Sequence, residues 1–231
     1  MERSNQTGWE DLRTAALFEP GHTAAAPLLN QTAYPWEALA GIRDFIKRIG
    51  PALDADEYDS PRPGVWIHKT AVVAPSTFLG DDVIIGANTE VRHCAFIRGS
   101  ALIGRGAVVG NSTELKNVIL FDSVQVPHYN YVGDSILGYR SHMGAGSITS
   151  NVKSDKTPVC INLNGEKLST GMKKFGAILG DHVEVGCGSV LNPGSVIGPF
   201  TNIYPLSSVR GFVPQNSIYK RQGEVVPKRT D

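Results

Sequence analysis

The sequence predicts an all-β fold, a parallel β-helix wound from hexapeptide repeats, and three observations carry that expectation. Aliphatic residues recur at every sixth position: Ile67, Val73, Leu79, Ile85, Val91, Ile97, Ile103, Val109 and Leu115, then Leu179, Val185, Leu191, Ile197, Ile203 and Val209. Four positions after each aliphatic residue the side chain is small or β-branched, as at Ala71, Thr89, Ala95, Ala107, Thr113, Ser189 and Thr201. Glycine often follows the aliphatic residue directly, at Gly80, Gly86, Gly104, Gly110, Gly180, Gly186 and Gly198. A half-buried strand repeats every two residues and a helix every ~3.6, so neither accounts for a period of six. A coil with flat sides does. Each hexapeptide supplies one short strand and one tight corner; three close a turn of about 18 residues, and turns stack about 4.8 Å apart. The aliphatic side chain points inward, and glycine tolerates the corner.

The elements follow in order. Residues 1 to about 60 lack the period. Within them Pro35 to Gly50 has helical spacing, with Leu39, Ile42, Phe45, Ile46 and Ile49 on one face, a proline near its start and a glycine at its stop. This helical segment is expected to cover the open first turn, whose edge would otherwise pair with another chain. Asp54 to Pro63, with four acidic residues and two further prolines after Pro51, reads as a linker. The β-helix is expected over residues 61–213. Its middle keeps the theme with slips, at Leu120, Val126, Val132, Leu137 and Met143, where two intervals shorten to five. Between Asn151 and Gly176 the rule stops. Two apolar-alternating arms there flank Asn164-Gly165, the strongest short signal for a β-hairpin, so residues 152–176 are read as a hairpin insertion thrown out of the coil. Residues 214–231 carry Lys220, Arg221, Lys228 and Arg229 and read as a mobile basic tail.

Composition bounds the function. Hydrophobic residues make up 41% and charged residues 19%, which suits a globular chain. The 22 basic and 22 acidic residues cancel, which argues against a general nucleic-acid or anionic-membrane binder. Cys94, Cys160 and Cys187 form no CxxC pair. They suit a reduced compartment, and the polar Met1 to Gln6 lacks the apolar core of a signal peptide, so a cytoplasmic location is expected. No run is long and apolar enough for a membrane span. No metal-ligand cluster, phosphate-binding loop or dinucleotide fingerprint is apparent, so no metal is expected.

Functional candidates are the residues from which a β-helix gains nothing. The corner after the aliphatic residue holds a cation at Arg98 and again at Lys116, 18 residues on. One turn apart, they stack on the same edge about 5 Å from each other, and two like charges there are unfavourable unless an anion lies between them. A bound phosphate would serve; so would simple solvation of two corner side chains. Val126 to Asp134 crowds Tyr129, Tyr131 and His128 into plain surroundings, and His128 is the natural general-base candidate near neutral pH, although a lone surface histidine often has no such role.

From about Ile97 to Lys220 the chain resembles the acetyltransferase domain of the bifunctional enzymes that acetylate glucosamine-1-phosphate and then make UDP-N-acetylglucosamine. The strings that carry the resemblance are Ile97-Arg98-Gly99, Gly110-Asn111, Glu114-Leu115-Lys116-Asn117, His128 with Tyr131 to Asp134, and Gly144 to Asn151. The hairpin and the segment Lys173 to Asp181 are closer to the archaeal sugar-1-phosphate nucleotidylyltransferase/acetyltransferase form. The resemblance implies a left-handed coil, a homotrimer with sites in the clefts between protomers, and acetyl-CoA as co-substrate. It implies His128 as catalytic base and Arg98, Lys116, Tyr131, Asn151 and Lys174 as sugar-phosphate contacts. It also places the backbone N–H of Ala145 at the thioester oxygen and Cys187 near the pantetheine. His142 stands where bacterial members have a sugar-contacting asparagine, and Tyr204-Pro205 where small residues are usual near the coenzyme. The implied activity is acyl-CoA-dependent N-acetylation of an amino-sugar 1-phosphate; the alternative is a non-catalytic β-helix that binds a sugar nucleotide or phosphate as a scaffold.

Overall fold

The computed structural model describes residues 8–228, and most of them lie in a parallel β-solenoid of about nine turns with three faces. The first face stacks Phe78, Phe96, Glu114, Tyr131, Ile148, Val190 and Ser208 in parallel register. Ile67, Ile85, Ile103, Leu120, Leu137, Leu179, Ile197 and Val213 stack on the second. Val72, Glu90, Val108, Gln125, His142, Glu184, Asn202 and Ile218 stack on the third. The strands Phe78–Ile85, Phe96–Ile103, Glu114–Leu120 and Tyr131–Leu137 are long because they bend round the corner that joins the first face to the second.

The core is the column of inward aliphatics that the period marks. Ile85, Ile97, Ile103, Leu115, Val126, Leu179, Leu191 and Val209 are all within 1% of full burial. At the first turn Ile67, Val73 and Leu79 are only partly covered, because no turn stacks below them. The small positions work as polar spacers inside the coil. Thr89, Thr113 and Thr201 are buried, and each hydroxyl donates to a backbone carbonyl at 2.7–3.0 Å, which avoids an unpaired buried group. At Gly110 a Cβ would sit 1.5 Å from the carbonyl oxygen of Pro127 on the next turn, so close stacking excludes any side chain there.

The two shortened intervals have a definite place. Ala101 pairs with Val118 and Val118 with Ser135, steps of 17 rather than 18, and the register shifts between Ile97 and Ala101. The residue lost is the corner one after the cation, present as Gly99 and missing after Lys116. Lys116 and Asn117 are thereby drawn into the corner itself.

The ends of the chain depart from expectation. Pro35–Gly41 winds as a 3-10 helix and only Ile42–Ile49 is α-helical, since Gly41 weakens a continuous helix. Short helical turns also occupy Trp9–Leu12, Thr14–Leu17, Pro20–His22 and Ala26–Leu29. This segment lies lengthwise along the solenoid instead of over its open end. Its apolar side, Leu12, Leu17, Leu29, Trp36, Leu39, Ile42 and Ile46, is buried against the coil. The open edge is covered by the stretch read as a linker: Tyr58–Arg62 is a strand, antiparallel to Val65–His68. At the other end the expected mobile tail is a hairpin, Ser217–Arg221 with Glu224–Pro227, joined to the third face at Ile218. Lys220 and Arg221 both pair with Glu224, so the basic cluster closes a sheet edge; Arg229 lies outside the described residues. Between the two runs Cys160–Leu163 and Glu166–Ser169 form the inserted hairpin, with Asn164 and Gly165 at positive φ, as a two-residue turn requires. Among the described residues no helix is long and apolar enough to cross a membrane.

Candidate functional site

The corner between the third face and the first brings three of the candidates into one column. Its backbone repeats a single hydrogen bond from turn to turn. The N–H of Tyr129 donates to Asn111, that of Gly146 to His128, that of Gly188 to Ala145, and that of Leu206 to Cys187, all at 2.9–3.0 Å. Tyr129, Gly146, Gly188 and Leu206 are each left-handed, φ 52 to 70°, so the residue before each one turns outward at the same place. His128, Ala145 and Cys187 therefore stand one above another, one turn or about 4.8 Å per step, and all three are exposed. The His128 N–H donates to Asn130 Oδ1, and Asn130 is itself buried and donates to Gly144 and Ser147, which holds this corner rigid. The imidazole makes no hydrogen bond among the described residues.

Across the first face, at the corner with the second, lies the polar cluster. Arg98 Nη1 donates to Glu114 Oε1 at 2.8 Å, and the guanidinium lies 6.0 Å from the Phe96 ring. Lys116 Nζ donates to both oxygens of Asp134, at 3.0 and 2.9 Å. Asn117 Nδ2 reaches Asp134 Oδ1 at 3.0 Å, and Asn151 Nδ2 reaches Asp134 Oδ2 at 2.6 Å and the Tyr131 hydroxyl at 3.2 Å. Burial, with Glu114 and Asp134 nearby, raises the Tyr131 phenol above its ordinary value and keeps it neutral. The hydrogen bond to Glu114 raises the Arg98 guanidinium further still.

The stacked cations need no bound anion for balance, contrary to the reading from spacing alone. Each carries its own carboxylate, Glu114 for Arg98 and Asp134 for Lys116. Both acids stand in the quoted strings: Asp134 follows Lys116 by 18 residues, about one turn, and Glu114 follows Arg98 by 16.

Lys174 is exposed at the root of the insertion. The root is closed by the Phe175 N–H donating to Asn151 and the Gly176 N–H donating to Asp134, both near 2.9 Å. The structure thus joins Lys116, Tyr131 and Asn151 in one network through Asp134 and Asn151, sets the separate Arg98–Glu114 pair and Lys174 beside it, and groups His128, Ala145 and Cys187 at the other end of the same face. His142 lies on the third face, its Nδ1 2.8 Å from Glu184, outside both groups.

A three-faced coil of stacked hexapeptides is the architecture of the hexapeptide-repeat transferases. The chain belongs to that family, as its acetyltransferase-like part. It is 30% identical over 203 residues to the bifunctional protein GlmU of Methanococcus maripaludis, covering 87% of this chain and 49% of that one. It is also 30% identical over 159 residues to YaiX of Escherichia coli K12, described as an uncharacterised acetyltransferase, covering 61% of this chain and 69% of that one. The chain spans about half the length of the GlmU relatives it matches. Among solved structures, a hexapeptide transferase family protein from Anaplasma phagocytophilum aligns with a TM-score of 0.41 at 16% identity, over 72% of this chain and 80% of that one. No family model matches the chain.

Proposed function

We propose that the protein is an acyl-CoA-dependent N-acetyltransferase whose acceptor is an amino-sugar 1-phosphate, of the glucosamine or galactosamine type, and that it works as a homotrimer. The column of His128, Ala145 and Cys187 on three successive turns carries the reading. It sets a base, a backbone donor and an open channel wall in the order that a thioester, lying along the corner, would meet them.

The chemistry follows from those positions. Acetyl-CoA is the second substrate, its pantetheine running along the corner past Cys187. The acceptor lies across the first face, its phosphate toward Arg98, Lys116 and Lys174, its ring held by Tyr131 and Asn151. Its amine nitrogen attacks the thioester carbonyl carbon while His128 takes a proton from that nitrogen. The oxygen of the tetrahedral intermediate gains negative charge and is met by the Ala145 N–H. The C–S bond then breaks, the amide forms, and the imidazolium returns its proton to the coenzyme A thiolate. Among the described residues His128 has no competing side-chain partner, which leaves its nitrogen free for the amine. A neighbouring protomer would close the cleft against bulk water.

The test is thiol release from acetyl-CoA in the presence of each amino-sugar 1-phosphate. Free coenzyme A is expected with one of them and at least about a hundred-fold less in His128→Ala. An unchanged rate in that variant, or no release with either sugar alongside tight binding of a nucleotide sugar, would overturn the proposal in favour of a scaffold.

A further inference from the structure

We infer that Asp134 is a positioning residue of the acceptor site, and that Asn117 ties it to the N-terminal segment. The inference rests on the transferase reading and goes further, because it gives a role to a residue that touches no substrate.

Asp134 is 4% exposed and left-handed, φ 48°, at the corner where the first face meets the second. A carboxylate has about four acceptor sites. All four are filled: Oδ1 takes Lys116 and Asn117, and Oδ2 takes Lys116 and Asn151. Nothing is left over for a ligand. What the carboxylate does is hold an ammonium and an amide, both assigned to the acceptor, at one place and in one orientation. Charge-assisted hydrogen bonds in a buried setting give it the strength to do so. Its backbone carbonyl accepts the Gly176 N–H, so the same residue also pins the strand on which the insertion returns.

The second link runs outward. Asn117, left-handed at φ 55°, has two amide hydrogens; its nitrogen lies 3.0 Å from Asp134 Oδ1 and 3.2 Å from the carbonyl of Leu39. One turn further from Asp134, Arg43 donates to Ser100 Oγ and lies 3.5 Å from Asp82. The left-handed corner column Asp82, Ser100, Asn117 and Asp134 is thus the rail on which residues 39–43 dock, and its last member reaches into the site.

The experiment uses the full chain with Asp134→Asn, which keeps size and tolerates the left-handed backbone, Asn117→Gly, which keeps the backbone and loses the amide, and Lys116→Met alone and combined with Asp134→Asn. In Asp134→Asn the KM for the phosphorylated acceptor should rise about ten-fold while the KM for acetyl-CoA stays within about two-fold, and Asn117→Gly should move the same way by less. The double variant should fall well short of the product of the two single effects, since the part of the Asp134 effect that runs through Lys116 is lost once Lys116 is gone and only the part through Asn151 remains. Independent of turnover, acetic anhydride should modify Lys116 faster in Asp134→Asn than in the wild type, read by mass spectrometry. Equal changes in both KM values, additive effects with Lys116→Met, or unchanged Lys116 labelling would each overturn the inference. A wild type that releases no coenzyme A would instead sink the transferase reading, and the labelling result would still decide whether Asp134 holds Lys116. Should Asp134→Asn fail to fold, Asn117→Gly decides by the same two KM values.

Discussion

The indole of Trp36 stacks on the ring of Phe175, centroids 5.9 Å apart and planes 29° apart. One residue belongs to the lengthwise N-terminal segment and the other closes the inserted hairpin, next to Lys174. Trp36 is 2% exposed and also stacks on Tyr34 at 4.6 Å. Through this pair the segment braces the root of the insertion from outside the coil.

Trp36→Ala should therefore cost about 3–5 kcal/mol, the usual loss for a buried aromatic. Chemical denaturation measures it. The same variant should raise the acceptor KM, because Phe175 and its neighbour Lys174 lose their support. A variant as stable as the wild type would show that the segment merely lies against the coil.

Arg98 and Lys116 should differ in what they contribute to stability. The Arg98–Glu114 pair is half open to solvent, so Arg98→Ala should change stability by about 1 kcal/mol or less. Lys116→Ala leaves buried Asp134 without its ammonium and should cost about 2–3 kcal/mol. Both should raise the acceptor KM. Equal melting temperatures for the two variants would contradict the burial of Asp134.

Two glycines separate stacking from backbone strain. At Gly146, φ 70°, an added Cβ meets nothing within 4 Å, and Gly146→Ala should cost only the left-handed penalty of about 1 kcal/mol. At Gly110 the Cβ would collide with the backbone of Pro127, and Gly110→Ala should cost about 4 kcal/mol or more, or prevent folding. Expression yield and thermal unfolding of the two variants test the contrast.

Tyr131 sets an alkaline limit. Its phenol is raised in the folded state by burial, then by Glu114 and Asp134, so unfolding releases a proton more readily than the native state does. The stability this neutral phenol contributes is complete below the ordinary tyrosine value of about 10 and is lost as pH rises through the higher folded value. The stability advantage of the wild type over Tyr131→Phe should shrink above about pH 10. Denaturant midpoints for both proteins across pH 8 to 11, and ultraviolet titration of the tyrosines, check the sign.

The hexapeptide period and the turn at Asn164-Gly165 were written plainly in the residues, because both are local rules: each hexapeptide of the coil needs one inward aliphatic side chain, and a two-residue hairpin needs left-handed backbone. His128, Arg98 and Lys116 stood out for the matching reason, that the repeat has no use for them. The edges were misread. Tyr58–Arg62 and Ser217–Pro227 look like a linker and a tail because edge strands carry prolines and charges and show no inward face. Which carboxylate neutralises which cation was decided only by the tertiary structure. Register sets Gly133 beside Lys116 and Ser135 beside Val118, so Asp134 reaches both Lys116 and Asn117 from the next turn, and Asn151, just before the insertion, reaches the same carboxylate; contacts between turns depend on register, which no single hexapeptide contains.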